Sequence, residues 1–200
     1  NAIGAYGKTI DWSVTSNYRQ GIDKDLVDLV AQMEGGQVGA LFIAGANPAY
    51  SYHDADKFRA ALKKVKLSVS FAGKMDETTE LCNYIVPTHH YLESWGDAEP
   101  KSGSISFLQP TIYPLFKTRP FQTSLLKWSG NATDYDTYYK NYWTTKLGSL
   151  EAFDKVLQDG VIETLPAAAS AGAYGAGSVA TAASAIAAAV KGGKDEVVLY

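Results

Sequence analysis

The feature that most constrains this chain is the alternation of short apolar runs with a helical repeat between residues 40 and 71. Ala40-Leu41-Phe42-Ile43-Ala44 is a continuous apolar run bounded by glycines, too short for a stable helix and suited to a central strand covered on both faces. From Asp54 to Lys64 the apolar residues Phe58, Ala61 and Leu62, with Val65 just beyond, recur at helical spacing, and Leu67 to Phe71 makes a second β-type run. Two strands joined through a helix are a βαβ unit, which predicts an α/β fold built on a mainly parallel sheet flanked by helices. Such crossovers are almost always right-handed, so the loops that follow both strands share one edge of the sheet. Gly45-Ala46-Asn47-Pro48 and Ala72-Gly73-Lys74-Met75-Asp76-Glu77-Thr78 are therefore expected side by side, on the edge where open α/β sheets bind ligands.

Around this unit the pattern is equally readable. Asp23 is placed to cap a helix carrying Leu26, Val27, Leu29, Val30 and Met33 on one broad face, with Ile22 stapled onto Val27 and Gly35-Gly36 ending it. Tyr84-Ile85-Val86 reads as a third strand that Pro87 closes, because proline cannot donate to a ladder. From His89 to Phe116 the chain is aromatic and interrupted by proline, which predicts an irregular excursion over the domain serving as a lid or interface. Helices are expected at Thr123–Trp128, Tyr135–Leu147 and Leu150–Gln158. Residues 1–165 thus read as one α/β domain, and 166–177, almost all Ala, Gly and Ser, as a flexible connection. Residues 178–200 read as an alanine-rich helix at Ser178–Val190 followed by a strand at Glu196–Tyr200. The missing N-terminal Met and the apolar ending Val197-Val198-Leu199-Tyr200 suggest a piece of a longer protein.

Composition narrows the chemistry. A net charge of −3 with interspersed signs offers no face for a nucleic-acid backbone or an anionic membrane. A single cysteine, Cys82, cannot supply the thiolates of an iron–sulfur cluster or form an internal disulfide. No apolar run is long enough to span a bilayer. There is no phosphate-cradling loop, nucleophile elbow or complete dinucleotide fingerprint. Gly45 and Asn47 allow two readings: a turn needing glycine, or a backbone open to a ligand beside an amide with donors and an acceptor for a base or sugar. Asp76-Glu77-Thr78 likewise reads as a contact to ribose or guanine, or as a helix N-terminus with its acidic first turn. His89 and His90 diverge too much to share a metal, which favours packing and hydrogen bonding. Glu93, Asp97 and Glu99 around Trp95 read by default as a solvated or ion-paired loop rather than an acid–base pair.

The succession of a strand with Gly45-Ala46-Asn47-Pro48, a strand with Asp76-Glu77-Thr78, Tyr84-Ile85-Val86-Pro87 and Glu93-Ser94-Trp95-Gly96 resembles the molybdopterin oxidoreductases over roughly Gly39 to Arg119. The resemblance implies a Rossmann-like sheet whose two edge loops lie beside one guanine dinucleotide of the pterin cofactor. It implies cofactor contacts at Gly45, Ala46, Asn47, Pro48, Asp76, Glu77, Thr78, His90, Glu93 and Gly96, with no catalytic residue in the fragment. The wording His89-His90-Tyr91-Leu92-Glu93-Ser94-Trp95-Gly96-Asp97-Ala98-Glu99-Pro100, then Gln109-Pro110 and Pro114-Leu115-Phe116, is similar to the fused molybdopterin-like/iron–sulfur subunit of bacterial alternative complex III. That subgroup implies a cofactor-free scaffold in a quinol-oxidising respiratory complex on the periplasmic side of the inner membrane. Its partners there are an iron–sulfur domain of the parent chain and other membrane-bound subunits. Trp95, standing where active members have small residues, is expected to narrow the cofactor cleft. The alternatives are a domain of a catalytic molybdenum oxidoreductase that holds molybdopterin guanine dinucleotide, and a generic nucleotide-binding module.

Overall fold

In a computed structural model of the chain, the described residues are 3–6, 8–164, 175 and 177–189. They fall into two compact units, residues 16–165 and the two chain ends 1–15 with 166–200. Described by itself, the unit of the chain ends contains a tight turn at Ala5, whose carbonyl accepts from the amides of Lys8, Thr9 and Ile10, and a helix, Gly177–Ala189. That helix agrees with the alanine-rich pattern. Val190, the expected strand at 196–200 and most of the expected connection at 166–177 lie outside the described residues.

The unit 16–165 begins with α1 (Asp23–Glu34), then β1 (Ala40–Ile43), α2 (Pro48–Ser51), α3 (Ala55–Leu62), β2 (Leu67–Ser70), α4 (Glu77–Leu81) and β3 (Tyr84–Ile85). The strands form a parallel sheet in the order β1-β2-β3, with Phe42 beside Val69 and Val69 beside Tyr84. The predicted α/β architecture is therefore present. β2 is central, however, and β1 is an edge strand among the described residues. The continuous apolar run that suggested a central strand is explained by its two faces. Ile43 joins the core of Val30, Met33, Ala49, Phe58, Ala61 and Leu62 beneath α1 and α3, with Leu41 packed against it. Phe42 points the other way, against Phe71 and Trp128, and stays 46% exposed.

Capping follows the short polar side chains. Asp54 accepts from the Lys57 amide and Asp76 from the Thr79 amide. Asp23 does not cap: the residue before α1 is Ile22, with no side-chain cap, and Asp23 is already helical. Its carboxylate is left to favour the N-terminal dipole instead. Ile22 and Val27 are both largely exposed, so the expected staple does not form.

The excursion after β3 is more regular than its prolines and aromatics suggest. After a 3₁₀ turn at Tyr91–Glu93 come β4 (Gly96–Lys101) and β5 (Ser104–Leu108), an antiparallel hairpin. Then α5 (Phe121–Trp128), α6 (Tyr135–Leu147), α7 (Leu150–Asp159) and β6 (Val161–Glu163) follow, with β6 pairing antiparallel to β5. This second sheet is covered by Tyr139, Trp143 and Phe153, with Phe107 edge-on to Trp143 at 4.7 Å. Burial of such aromatic side chains contributes about 1.5–3 kcal/mol each. The hairpin escaped the sequence pattern because Gly96-Asp97-Ala98-Glu99-Pro100-Lys101 is polar along both faces.

Candidate functional site

The carboxyl edge of the parallel sheet is where sequence and structure meet. β1 ends into Gly45, held at φ +65 with nothing within 4 Å of where a Cβ would stand. That left-handed turn suits glycine and leaves its backbone exposed. β2 ends into the loop that starts α4. The two loops are tied together: Asn47 Oδ1 accepts from Thr78 Oγ1 at 2.7 Å and from the Thr78 amide at 3.2 Å. Asn47 Nδ2 donates to Glu77 Oε2 at 2.7 Å, and Thr78 Oγ1 accepts from the Ala49 amide at 2.9 Å. Thr78 is fully buried, and the Asn47 bond holds the Glu77 carboxyl below the ordinary glutamate range. Behind this link, Thr79 Oγ1 meets Ser70 Oγ at 2.8 Å, and Asn83 Oδ1 accepts from the Ser68 amide and hydroxyl. The small polar residues of β2 thus anchor α4 to the sheet.

The remaining predicted contacts gather off the end of β3 and serve local structure. Glu93, buried, accepts from the Leu115 amide through Oε1 and from the His90 amide through Oε2, each at 2.9 Å. These bonds hold its carboxyl below the ordinary glutamate range. His90 caps the 3₁₀ turn by accepting from the Leu92 amide at 3.3 Å. Gly96 offers its carbonyl to the Tyr139 hydroxyl at 2.8 Å, whose burial pushes that phenol well above its ordinary range. Asp97 accepts from the Trp143 indole and Glu99 from the Gly103 amide; both are exposed, as a solvated segment would be, but they lie on the strand β4 rather than in a loop.

A cleft of about 580 Å³ opens here, lined by His89, Glu93, Arg119, Asp134 and Asp136 among others. His89, rather than His90, faces it, with Nδ1 2.6 Å from Thr118 Oγ1 and 3.9 Å from Glu93 Oε2. Residues 45–48 and 76–78 do not line this cleft. Trp95 is not among the residues lining this cleft: its ring packs on Tyr139 and Phe153 with Lys140 Nζ 5.0 Å from its centroid. Asp134 and Asp136 could not be picked out from sequence, because only the fold brings α6 against the end of β3. Among the described residues no group of three His, Cys, Asp or Glu side chains is placed to hold a metal.

Arranged this way, a three-stranded parallel sheet with helices packed on it and its two loops tied together at the carboxyl edge defines a class, an open-sheet α/β fold. The model of the molybdopterin oxidoreductase family matches residues 12–121, more than half of the chain, and the chain belongs to that family. The menaquinone reductase molybdopterin-binding-like subunit of Nitratidesulfovibrio vulgaris (strain Hildenborough) is 30% identical over 95 residues, 46% of this chain and 14% of that protein. Acetylene hydratase from Pelobacter acetylenicus superposes with a TM-score of 0.56 at 17% identity, covering 70% of this chain and 21% of the hydratase. At that identity the likeness shows a shared fold. The chain thus spans about a seventh and a fifth of the lengths of these two proteins.

Of the candidate contacts, Asn47 has little left to offer the family's dinucleotide. Asn47 has already used both acceptor positions of its oxygen and one of its two amide protons within the chain. A single proton is left to offer a base or sugar.

Proposed function

We propose that this chain is a domain of a larger molybdopterin-oxidoreductase-type subunit that works as a cofactor-free scaffold in a membrane-associated, quinol-oxidising respiratory complex on the periplasmic face of a bacterial inner membrane. The observation that carries the reading is the Asn47 link: the amide best placed to read a nucleotide is spent on Thr78 and Glu77. The relative in Nitratidesulfovibrio vulgaris, named a molybdopterin-binding-like subunit of a menaquinone reductase, supports only the part of the reading that places the domain in a quinone-linked, multisubunit complex. In this reading electrons travel through iron–sulfur clusters elsewhere in the parent chain and through other subunits, and residues 16–165 provide shape. No helix among the described residues is long and apolar enough to cross a membrane.

Metal analysis and acid extraction of fluorescent pterin from the purified full-length protein test the cofactor-free part. The expected yield of both is far below stoichiometric. A stoichiometric yield of molybdenum and pterin supports the second reading, a cofactor-holding domain of a catalytic molybdenum oxidoreductase. That reading is favoured by Gly45, whose exposed backbone at φ +65 leaves open space for close approach at the end of β1.

A further inference from the structure

Beneath the end of β3 lies a smaller pocket of about 320 Å³ whose charged lining is entirely basic: Lys117, Arg119 and Lys127. Ile85, Val86 and Pro87 form its apolar side, and Trp128 and Ser124 of α5 complete it. Three formal positive charges converge in a chain whose net charge is −3. None of the three takes part in the ion pairs of the described residues, whose cationic partners are Lys24, Lys57, Arg59, His89, Lys101 and Lys155. All three side chains are exposed, and Arg119 also lines the cleft that carries Glu93, Asp134 and Asp136; the positive charge gathered at this smaller pocket favours an anion there.

Ser124 gives an independent indication. The residue is only 2% exposed, yet its hydroxyl has no hydrogen-bond partner in the chain. Every sealed side-chain oxygen and nitrogen among the described residues does have one. The hydroxyl is therefore not sealed, and the pocket it lines is its outlet. A nearly buried donor with no partner costs about 1–3 kcal/mol unless water or a ligand satisfies it. The segment carrying Lys117 and Arg119 is also pinned: Thr118 Oγ1 bonds His89 Nδ1 at 2.6 Å, Arg119 O accepts from the His89 amide, and the Phe121 amide donates to Thr88 Oγ1. The backbone of that segment is thus fixed before a ligand arrives, and only the exposed cationic side chains remain to be ordered.

We propose that this pocket binds the phosphoryl group of a phosphorylated small molecule. The Arg119 fork suits two phosphate oxygens, the lysines add charge and Ser124 donates a hydrogen bond. At about 30 Å³ per water, the pocket has room for roughly ten waters, more than a lone phosphate needs. The exposed ring of Trp128 and the apolar side formed by β3 suit a planar or apolar body attached to the phosphate. Ser124, Lys127 and Trp128 lie beyond the residues that the family model matches, while Lys117, Arg119 and the β3 side lie within them. The proposal is independent of the scaffold reading, and stoichiometric molybdenum would leave it standing.

Calorimetric titration of the full-length protein with inorganic pyrophosphate at fixed ionic strength provides the test. Saturable binding is expected, weakened about tenfold or more by Lys127→Glu and by Arg119→Gln, and several-fold by Ser124→Ala. Lys155→Glu, in α7 and not among the residues lining the pocket, is expected to titrate like the wild type. Unchanged melting temperatures identify which of the three pocket variants are folded, and any folded one suffices. Absence of saturable binding by wild type, or wild-type affinity in a folded Lys127→Glu or Arg119→Gln protein, overturns the proposal. A parallel arm uses vesicles of phosphatidylglycerol against phosphatidylcholine. Lys127-dependent vesicle binding without pyrophosphate binding assigns the phosphate to a lipid headgroup and equally overturns a small-molecule site.

Discussion

Asn47 shows how one residue changes meaning between sequence and structure. In the sequence it is the amide of a turn, equally suited to a ligand. In the folded chain it is the peg between two loops, and Thr78, its partner, is wholly buried. Asn47→Ala leaves the Thr78 amide without its partner, and a loss of about 2 kcal/mol in urea unfolding is expected. A loss under about 0.5 kcal/mol would show the link to be incidental. Glu93 offers a test in pH. Its folded pKa is depressed by the Leu115 and His90 amides, so its stabilisation is present above the unfolded glutamate range and is lost as pH falls through the folded value. The stability gap between wild type and Glu93→Gln should accordingly be wide at pH 6 and narrow toward pH 3; a gap independent of pH refutes the assignment. The acidic residues were visible in sequence, but their partners were not. Leu115 lies 22 residues from Glu93 and Trp143 lies 46 from Asp97, separations that no local pattern encodes.

The βαβ unit was legible at the level of elements because helical and strand periods alternate cleanly there. The second sheet was not, since β4 is polar on both faces and its identity rests on pairing with β5 and packing under α6 and α7. Pairing of this kind is set by tertiary context more than by intrinsic preference. Its turn is a sharp place to test the fold. Gly103 sits at φ +79, and a Cβ there would lie 2.0 Å from the Thr164 carbonyl oxygen, the residue whose amide donates to Gly103 O. Gly103→Ala should therefore lose about 2 kcal/mol or more, read as a fall in melting temperature. Gly130→Ala has a similar φ of +86 but open space around it, and should lose only about 1 kcal/mol. Equal losses would mean that backbone strain alone, and not the approach of Thr164, governs the turn.

In the unit 16–165 the parallel sheet is covered unevenly. Its α1–α3 face is a packed core, while Phe42 and Tyr84 on the other face are 46% and 62% exposed beside Trp128. Parallel sheets are ordinarily covered on both sides. The 200-residue chain in isolation is therefore expected to bind the dye ANS. Replacing Phe42 and Tyr84 together by Thr should reduce the fluorescence about twofold, and unchanged fluorescence would place the dye elsewhere. The architecture was readable in advance because it follows from periodicity; the uneven cover was not, because it depends on how much α5 reaches. The Asn47 link also sets a thermodynamic toll on any nucleotide seeking the edge crevice. Releasing Asn47 gives up its three hydrogen bonds at about 1 kcal/mol each, which leaves the released form populated at roughly one part in a hundred. Intrinsic affinity would be discounted about a hundredfold, so a family member that retains its cofactor has reason to leave this asparagine unpartnered.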